Sequence, residues 1–341
     1  MQELISHLQS PADLSSSQVE DAVRRLLSEQ ISDEEKARFL RALREKGETA
    51  EEIAAFAQAL LARAVDPRID AGTLPGPLLD VCGTGGDKME LFNISTASMF
   101  ILAAGGVVVV KHGNRAITSQ CGGADVLEAL GVRIDLPPEA LKRCVESLGL
   151  GFVFAPHYHP AFKAIAPVRK LLATQGIPTI FNMLGPLLNP VRPPYQMVGI
   201  FSAALLGKYA HTLGTLGRQR AWALHGDGTD ELSNTGPSQV HEVTVNGVRE
   251  FEIRPGALGL PPATFEELRG GDRQFNAWLL SHLLAGTETG AKRDVILLNA
   301  AAGFLITGLA PDMESGLTLA REQIDSGRAF SKLQALRDFS A

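Results

Sequence analysis

Cysteine is scarce in this chain of 341 residues, and its three copies follow no metal-binding or disulfide pattern. Cys82, Cys121 and Cys144 form neither a CxxC pair nor a zinc-ligand spacing, and their odd number does not suit a disulfide framework. Scattered thiols of this kind are typical of proteins in a reducing compartment. We therefore expect a cytoplasmic protein without a zinc centre or structural disulfides.

The chain also lacks a long apolar run, a signal peptide and an excess of positive charge. Its longest apolar tract, residues 97–110, is interrupted by Gly105 and Gly106 and is too short to span a bilayer. The first residues lack the basic and apolar regions of a signal peptide. A formal net charge of −6 argues against a general nucleic-acid surface. We expect neither a membrane nor a nucleic-acid partner.

The first 65 residues have the pattern of a small helical unit. Residues 32–35 and 49–52 both fit a capping box, and Gly47 stands where the helix between them should stop. Apolar residues recur at helical spacing and predict a core: Leu26, Leu27, Phe39, Leu40, Leu43, Ile53, Phe56 and Leu60. A leftover apolar face would instead suit a partner subunit, and the pattern leaves both uses open. Residues 66–77, rich in proline and glycine, indicate a linker.

Strand and helix patterns alternate after the linker. Strands are predicted at 78–81, 107–110, 151–155, 198–201 and 221–224, with a hairpin at 243–253 around Asn246-Gly247. Helices are predicted at 97–104, 126–130, 138–148 and 203–216, and the chain from residue 274 is mostly helical. The prediction is an α/β protein: a helical domain at 1–70, onto which residues 159–190 are candidates to pack back, and an α/β domain at 77–341. The central sheet of the larger domain should be mostly parallel and flanked by helices.

A glycine-rich loop follows the first predicted strand. The sequence Asp80-Val81-Cys82-Gly83-Thr84-Gly85-Gly86-Asp87 runs on to Phe92-Asn93-Ile94-Ser95-Thr96, where a helix begins. Glycines permit close approach of a ligand, and the free N–H groups and dipole of a helix N-terminus attract anions. We interpret the stretch as a phosphate site, with a ligand-free strand-to-helix turn as the alternative.

Two further polar loops follow predicted strands and should meet the first. Residues 111–115 follow one strand, and residues 225–231 follow another. Ligands in α/β proteins bind outside the carboxyl ends of strands, so we expect the three loops to converge. The adjacent carboxylates Asp230 and Glu231 suit Mg²⁺, which prefers oxygen ligands and substrate phosphates. Lys111 would neutralise phosphate; an acidic turn and a surface lysine are the alternatives.

Other polar residues are candidates for a second substrate. His112 and Asn114 would present polar groups to it, and Arg169 would pair with a carboxylate in bidentate fashion. Loop capping and an ordinary helix-surface arginine are the alternatives for these positions. His157 and His159 lack the further ligands of a metal site. We find no nucleophile elbow or Ser-His-Asp order, and so name no catalytic side chain.

Taken together, five motifs resemble the anthranilate phosphoribosyltransferase family, in that family's order and at similar separations. The likeness extends over nearly the whole chain, and the Leu298-Asn299-Ala300-Ala301-Ala302 segment shares it. The motifs are Gly83-Thr84-Gly85-Gly86-Asp87, Phe92-Asn93-Ile94-Ser95-Thr96, Lys111-His112-Gly113-Asn114-Arg115, Phe181-Asn182-Met183-Leu184-Gly185-Pro186-Leu187 and His225-Gly226-Asp227-Gly228-Thr229-Asp230-Glu231-Leu232-Ser233.

The resemblance implies transfer of the 5-phosphoribosyl group of phosphoribosyl pyrophosphate to the amine of anthranilate, in tryptophan biosynthesis. It implies Mg²⁺ and a homodimer formed through the helical domains. By motif position, the phosphoribosyl pyrophosphate residues would be Gly83, Thr84, Gly85, Gly86, Asp87, Asn93, Ser95, Thr96 and Lys111. The anthranilate residues would be Gly83, His112, Asn114, Pro156, His159 and Arg169. Ser95, Asp230 and Glu231 would serve the metal.

Several positions differ from the family pattern. Lys88 replaces a glycine, Leu91 a threonine and Gly123 a serine, and the link from Arg169 to Thr179 is about three residues longer. Three other functions are alternatives: transfer to another aromatic acceptor, a pyrimidine-nucleoside phosphorylase, and a relative that only binds. The intact Lys111–Arg115 and 181–187 motifs argue against the phosphorylase. The intact glycine loop and carboxylate pair argue against a binding protein.

Overall fold

The computed structural model describes residues 1–10, 12–86, 89–116 and 120–339 of the chain. Its N-terminal part is the predicted helical unit. The unit contains four helices, α1 Gln2–Leu8, α2 Ser16–Leu26, α3 Asp33–Lys46 and α4 Ala50–Leu61. Their apolar faces meet in a core that includes Leu26, Phe39 and Phe56.

The helix signals in the sequence are mostly confirmed. Thr49 and Glu52 form a reciprocal capping box at the start of α4, and Gly47 ends α3 with φ 86°. The box predicted at Ser32 is half-formed, because Ser32 accepts from the Glu35 N–H but no return contact is made. A second complete box, Ser15 with Gln18, was not predicted.

The larger part of the described chain is built on one seven-stranded sheet. Its order is β3-β2-β1-β4-β5-β6-β7, with the first five strands parallel and the last two antiparallel. The strands are β1 Leu78–Gly83, β2 Val108–Gly113, β3 Leu150–Phe154, β4 Tyr195–Gly199, β5 Arg220–Gly226, β6 Ser238–Thr244 and β7 Gly247–Ile253. The predicted fold class is therefore confirmed.

Helices cover the sheet, as the alternating pattern predicted. They are α5 Ile94–Ala104, α6 Gly123–Ala129, α7 Pro138–Leu148, α8 Ala155–Tyr158, α9 Ala166–Thr174, α10 Phe181–Leu184, α11 Leu206–Thr215, α12 Arg273–Leu284, α13 Ala291–Ile306, α14 Met313–Asp325 and α15 Arg328–Phe339. Helices α5, α13 and α14 pack together in the main core. Among the described residues, no helix combines the length and apolar character needed to cross a bilayer.

Two predicted boundaries near the candidate site are wrong. The strand predicted at 107–110 runs as β2 through Gly113, so Lys111 and His112 lie on a strand and not in a loop. The helix predicted from residue 97 begins at Ile94, so Ser95 and Thr96 occupy its first turn. In both cases polar side chains within a regular element look like loop residues in the sequence, because they serve a site instead of the core.

The segment after residue 159 returns to the helical unit. Helix α9 packs against α3, and the buried Lys36 donates its ammonium to Ala164 O at 2.9 Å. Val168 and Leu172 of α9 belong to the same apolar cluster as the N-terminal helices. On these contacts we propose the predicted division, a helical unit at 1–70 joined by residues 159–190, and an α/β unit from residue 77.

Strand β1 occupies the switch point of the sheet. The chain proceeds from β1 to β2 and β3 on one side, and β4 and β5 lie on the other. At such a point the connections leave in opposite directions and open a crevice at the carboxyl ends of the strands. The fold therefore places the glycine loop after β1 at the position where an α/β protein binds its ligand.

Candidate active site

Asp230 lies directly against the ends of β1 and β4, because both strands end in glycine. A Cβ atom on Gly83 would be 2.2 Å from Asp230 Oδ2, and one on Gly199 would be 1.5 Å from Asp230 O. Real side chains do not approach so closely. The two glycines therefore allow the 225–231 loop to lie over the sheet, and Gly199 is a site residue that the sequence motifs missed.

The glycine loop itself is held by hydrogen bonds to Asp230 and to the residues that end β4 and follow it. Gly85 N donates to Asp230 Oδ2 at 2.7 Å, and Thr84 N donates to Gly199 O at 2.9 Å. The Thr84 hydroxyl accepts from Phe201 N at 3.0 Å. Gly85 and Gly86 have φ of 66° and 88°, a left-handed conformation that favours glycine. Asp87, predicted to bind the donor, and the neighbouring Lys88 lie outside the described residues.

Glu231 meets the N-terminus of α5, as the predicted convergence of the loops requires. Ser95 N donates to Glu231 Oε1 at 3.2 Å, and Lys111 Nζ donates to Ser95 Oγ at 3.1 Å. Burial and the neighbouring Asp230 charge raise the pKa of Glu231 above its usual range, although the nearby Lys111 opposes the shift. The carboxylates of Asp230 and Glu231 lie close together near a single ammonium, that of Lys111, so a further cation would be favourable here.

That donor set fits Mg²⁺ in its usual protein environment. Within the described ranges, no cluster of three or more His, Cys, Asp or Glu side chains forms a closed metal cage. Asp230, Glu231 and the Ser95 hydroxyl offer hard oxygen ligands on one side only. Mg²⁺ is commonly held by one or two carboxylates, with water and substrate phosphate completing its shell. The residues present therefore suit a metal that arrives with a phosphorylated substrate.

Asn93 and Thr96, also predicted for the donor side, contact neighbouring segments of the chain. The Asn93 amide donates to Cys121 O and accepts from Asn276 Nδ2, both at 3.1 Å, so it ties α5 to neighbouring segments. Thr96 is buried, and its Oγ1 is 3.2 Å from where a Cβ on Gly123 would lie. A serine at position 123 would thus contact the α5 N-terminus directly.

Two buried histidines lie next to this donor side, His112 directly after Lys111 on β2 and His159 at the end of α8. The His112 and His159 rings meet edge to face with centroids 5.6 Å apart. Burial, followed by the nearby His159, lowers the pKa of His112 to about 3, and burial also lowers the pKa of His159. His159 Nε2 contacts Leu188 O at 2.7 Å, whereas His112 Nε2 has no hydrogen-bond partner among the described residues. Both rings are therefore neutral near pH 7.

Arg169 provides a cation without a carboxylate partner in the described part of the chain. Its guanidinium lies 5.3 Å from the centroid of the Phe181 ring, and burial alone lowers its pKa. A guanidinium in this state is suited to a planar carboxylate from a ligand. Pro156 and Asn114, the remaining predicted acceptor residues, are exposed, and Asn114 Oδ1 accepts from Arg115 N.

Comparison with known proteins agrees with this geometry. Residues 2–64 match the model of the glycosyl transferase family helical bundle domain, and residues 75–330 match that of the family's a/b domain. Anthranilate phosphoribosyltransferase of Chloroflexus aurantiacus is 42% identical over 338 residues, which are 98% of this chain and 97% of that protein.

Solved structures give the same result. The crystal structure of anthranilate phosphoribosyltransferase from Thermus thermophilus superposes with a TM-score of 0.91 and 40% identity, covering 98% of both chains. The Saccharomyces cerevisiae enzyme in complex with PRPP and Mg superposes with a TM-score of 0.88 and 29% identity, covering 99% of this chain and 97% of that one. With two domain models and near-complete overlap with these proteins, the chain belongs to the anthranilate phosphoribosyltransferase family.

Proposed function

We propose that the protein transfers the 5-phosphoribosyl group of phosphoribosyl pyrophosphate to the amine of anthranilate, forming N-(5-phosphoribosyl)anthranilate and pyrophosphate for tryptophan biosynthesis. One observation supports this more than any other. A phosphate-type cradle with a carboxylate pair lies at the end of β1, and the buried histidines lie next to it, with Arg169 as a cation for the acceptor carboxylate. The site thus has places for a diphosphate donor and a carboxylated acceptor.

The donor side would bind and stabilise the leaving group. Gly83, Thr84, Gly85, Gly86 and Asp87 would hold the pyrophosphate and ribose, with Asn93, Ser95, Thr96 and Lys111 around them. Asp230, Glu231 and Ser95 would hold Mg²⁺, which when bound would neutralise charge on the phosphates. N–H groups of the glycine loop and α5 would donate to the same oxygens.

The acceptor side would orient the amine for attack. Arg169 would bind the anthranilate carboxylate, and Pro156, His159, His112, Asn114 and Gly83 would surround the ring. The C1–O bond to pyrophosphate breaks with its electron pair leaving on pyrophosphate, and the amine lone pair forms the C1–N bond before losing a proton. Positioning of the two substrates supplies much of the rate, so no dedicated base or covalent enzyme intermediate is needed.

A fluorescence assay tests this function directly. Protein, Mg²⁺ and phosphoribosyl pyrophosphate are mixed with anthranilate, and loss of anthranilate fluorescence is expected only when all components are present. Chelation of the metal should stop the reaction. Absence of turnover, together with pyrophosphate release from another aromatic amine, would reassign the acceptor. Phosphate-dependent cleavage of a pyrimidine nucleoside would indicate a phosphorylase.

Two properties of the protein in the cell belong to the same proposal. Cys82, Cys121 and Cys144 are free thiols, which supports a cytoplasmic location. The family resemblance supports a homodimer through the helical domains, and Leu171 on the adjoining α9 is 43% exposed. Light scattering should then give about twice the chain mass of 36.4 kDa. A monomer at micromolar concentration would contradict the dimer.

A further inference from the structure

The hydrogen-bond ladder between β1 and β2 ends before the strands do. Register pairs join Leu78 to Val108 and Leu79 to Val109, and none follow, although β2 remains paired with β3 as far as Gly113. Val108 N donates to Pro77 O, so alternate backbone groups further along β2 also face β1. Those groups are buried and require partners from elsewhere.

Two side chains supply those partners. Asp80 Oδ1 accepts from His112 N at 3.2 Å, and Asn189 Nδ2 donates to Val110 O at 2.8 Å. Both side chains are 0% exposed. Asn189 also interacts with the Asp80 carboxylate, so the two act on the same part of β2. The end of β2 is thus attached to β1 through side chains instead of backbone pairing.

A third buried residue connects this pair to the segment at 185–189. Gln196 Nε2 donates to Pro186 O at 2.6 Å and lies 3.4 Å from Asp80 Oδ2. Its Oε1 accepts from Arg218 Nε at 2.8 Å. We call Asp80, Asn189 and Gln196 the polar clasp. Every member is fully buried, and none belongs to the motifs assigned to either substrate.

The contacts of the polar clasp lead to the acceptor side. Asp80 accepts from the backbone N–H of His112. The segment 185–189, which the polar clasp also contacts, includes Leu188, whose carbonyl oxygen is 2.7 Å from His159 Nε2. The backbone of Gly185 in that segment also interacts with the His112 ring. The hydrogen bonds of the donor side do not involve the polar clasp, since Gly85 is bonded to Asp230, Ser95 to Glu231, and Lys111 to Ser95 and Val81 O. The one link between them is the charge interaction of Asp80 with Lys111.

We propose that Asp80 and Asn189 are positioning residues for the acceptor: they hold His112 and His159 in place from beneath without touching either substrate. The inference rests on the proposed function, because it takes the histidine side as the anthranilate site. It assigns a role to a carboxylate that stands inside an otherwise apolar strand. Such a residue is expensive to bury unless its hydrogen bonds serve the structure around it.

The test separates the two Michaelis constants. In Asp80→Ala the His112 N–H loses its acceptor, so the KM for anthranilate should rise about tenfold, the effect of roughly 1.4 kcal/mol. The KM for phosphoribosyl pyrophosphate should change less than about threefold, since the hydrogen bonds of Gly85, Ser95 and Lys111 do not involve Asp80 and only its charge interaction with Lys111 is lost. Asp80→Asn retains an oxygen for His112 N and should recover most of the anthranilate KM. Asn189→Ala should reproduce the selective rise.

A matched control distinguishes positioning from general damage. Glu242 on β6 is a comparably buried carboxylate that accepts from Arg220 and Trp222 away from the site, so Glu242→Ala should lower stability without separating the two KM values. Equal rises in both KM values for Asp80→Ala, or the same selective rise in Glu242→Ala, would overturn the proposal.

A second measurement does not depend on turnover or on a foldable alanine variant. In Asn189→Leu, which is similar in size but has no donor for Val110 O, amide hydrogen exchange should quicken in the peptide that ends β2, with the β1–β4 peptides unchanged. Unchanged exchange at β2, or faster exchange in both places, would contradict the clasp. Failure of wild-type protein to consume anthranilate would instead reject the proposed function, so the two failures are distinguishable.

Discussion

The two edges of β1 hold the site by different means. Towards β4, five register pairs run to the end of the strand, and glycines let the backbone of Asp230 rest on the sheet. Towards β2, backbone pairing stops after two pairs and buried side chains take over. The first edge carries Asp230 of the proposed donor site, whereas the second carries both Lys111, also of that site, and the proposed acceptor residue His112. Backbone packing at the β4 edge leaves little room for change. At the β2 edge the hydrogen bonds come from side chains, which substitutions can alter.

The most damaging single change should fall on the β4 edge. In Gly199→Ala the new Cβ would overlap Asp230 O, so the 225–231 loop must move. A displacement of about 1 Å near reacting groups costs roughly 100-fold in rate, and overpacking costs about 1–3 kcal/mol of stability. Steady-state kinetics and urea unfolding would measure both.

The control for this change is another glycine with open space around it. Gly207 lies in α11, and no atom beyond its own helix backbone and chain neighbours is within 4 Å of where a Cβ would lie. Gly207→Ala should leave turnover unchanged and add about 0.5–1 kcal/mol of stability. If Gly199→Ala were equally harmless, close packing would not define the donor edge.

Removing a charge from the carboxylate pair should have the next largest effect. Glu231→Gln leaves the α5 contact sterically intact but removes the charge of a proposed Mg²⁺ ligand. The Mg²⁺ concentration for half-maximal rate should rise at least about tenfold, and Asp230→Asn should act in the same direction. Metal titration of the rate, with circular dichroism to confirm folding, checks this. An unchanged metal requirement would remove both residues from the metal site.

A change at the proposed acceptor arginine should affect the KM values of the two substrates differently. Arg169→Ala removes a charge-assisted pairing worth about 1.5–3 kcal/mol, so the KM for anthranilate should rise roughly 10- to 100-fold. The KM for phosphoribosyl pyrophosphate should stay the same. Lys170→Ala, an exposed neighbour on α9, serves as the control and should change neither value. Loss of donor affinity in Arg169→Ala would indicate a structural role.

Acid should weaken the β2 edge before the β4 edge. The pKa of His112 is lowered to about 3 in the folded protein. As the pH falls below 6.5, His112 therefore binds a proton in the unfolded chain but stays neutral in the folded protein. Stability is therefore full above pH 6.5 and falls with pH, by about 2 kcal/mol at pH 5 from this group. His112→Gln should reduce the loss between pH 7 and pH 5, measured by urea unfolding at each pH. An equal loss in both proteins would contradict a buried neutral His112.

The sequence was sufficient for the architecture and for much of the donor side. Glycine spacing and strand alternation placed Gly85, Ser95 and Asp230 together, because loops at the carboxyl ends of neighbouring strands meet by geometry alone. The contribution of Gly199 was hidden, since a glycine ending an apolar strand looks ordinary until the residue packed on it is known. Asp80 carried a signal, a charge within an apolar run, but its partner Asn189 is more than a hundred residues away.

The predicted end of strand β2 was wrong because polar side chains continue along the strand. Lys111 and His112 looked like loop residues because a strand rarely places a lysine and a histidine in succession inside a core. In the structure the Lys111 ammonium donates to Val81 O and the His112 backbone N–H donates to Asp80, contacts between segments that no periodicity reveals. Asn93 was assigned to the donor site by motif and that role stays a prediction; in the structure its amide joins Cys121 and Asn276. Tertiary partners decide such roles.

The early end of the β1–β2 ladder bears on how this site can change over time. Substitutions in the polar clasp alter hydrogen bonds between side chains and the end of β2, and the backbone pairing of β1 with β4 does not depend on them. A lineage, or a laboratory selection, is therefore free to exchange one aromatic acceptor for another through residues 185–189 and their neighbours. The β4 edge has less of this freedom, because a Cβ on Gly199 would overlap the backbone of Asp230.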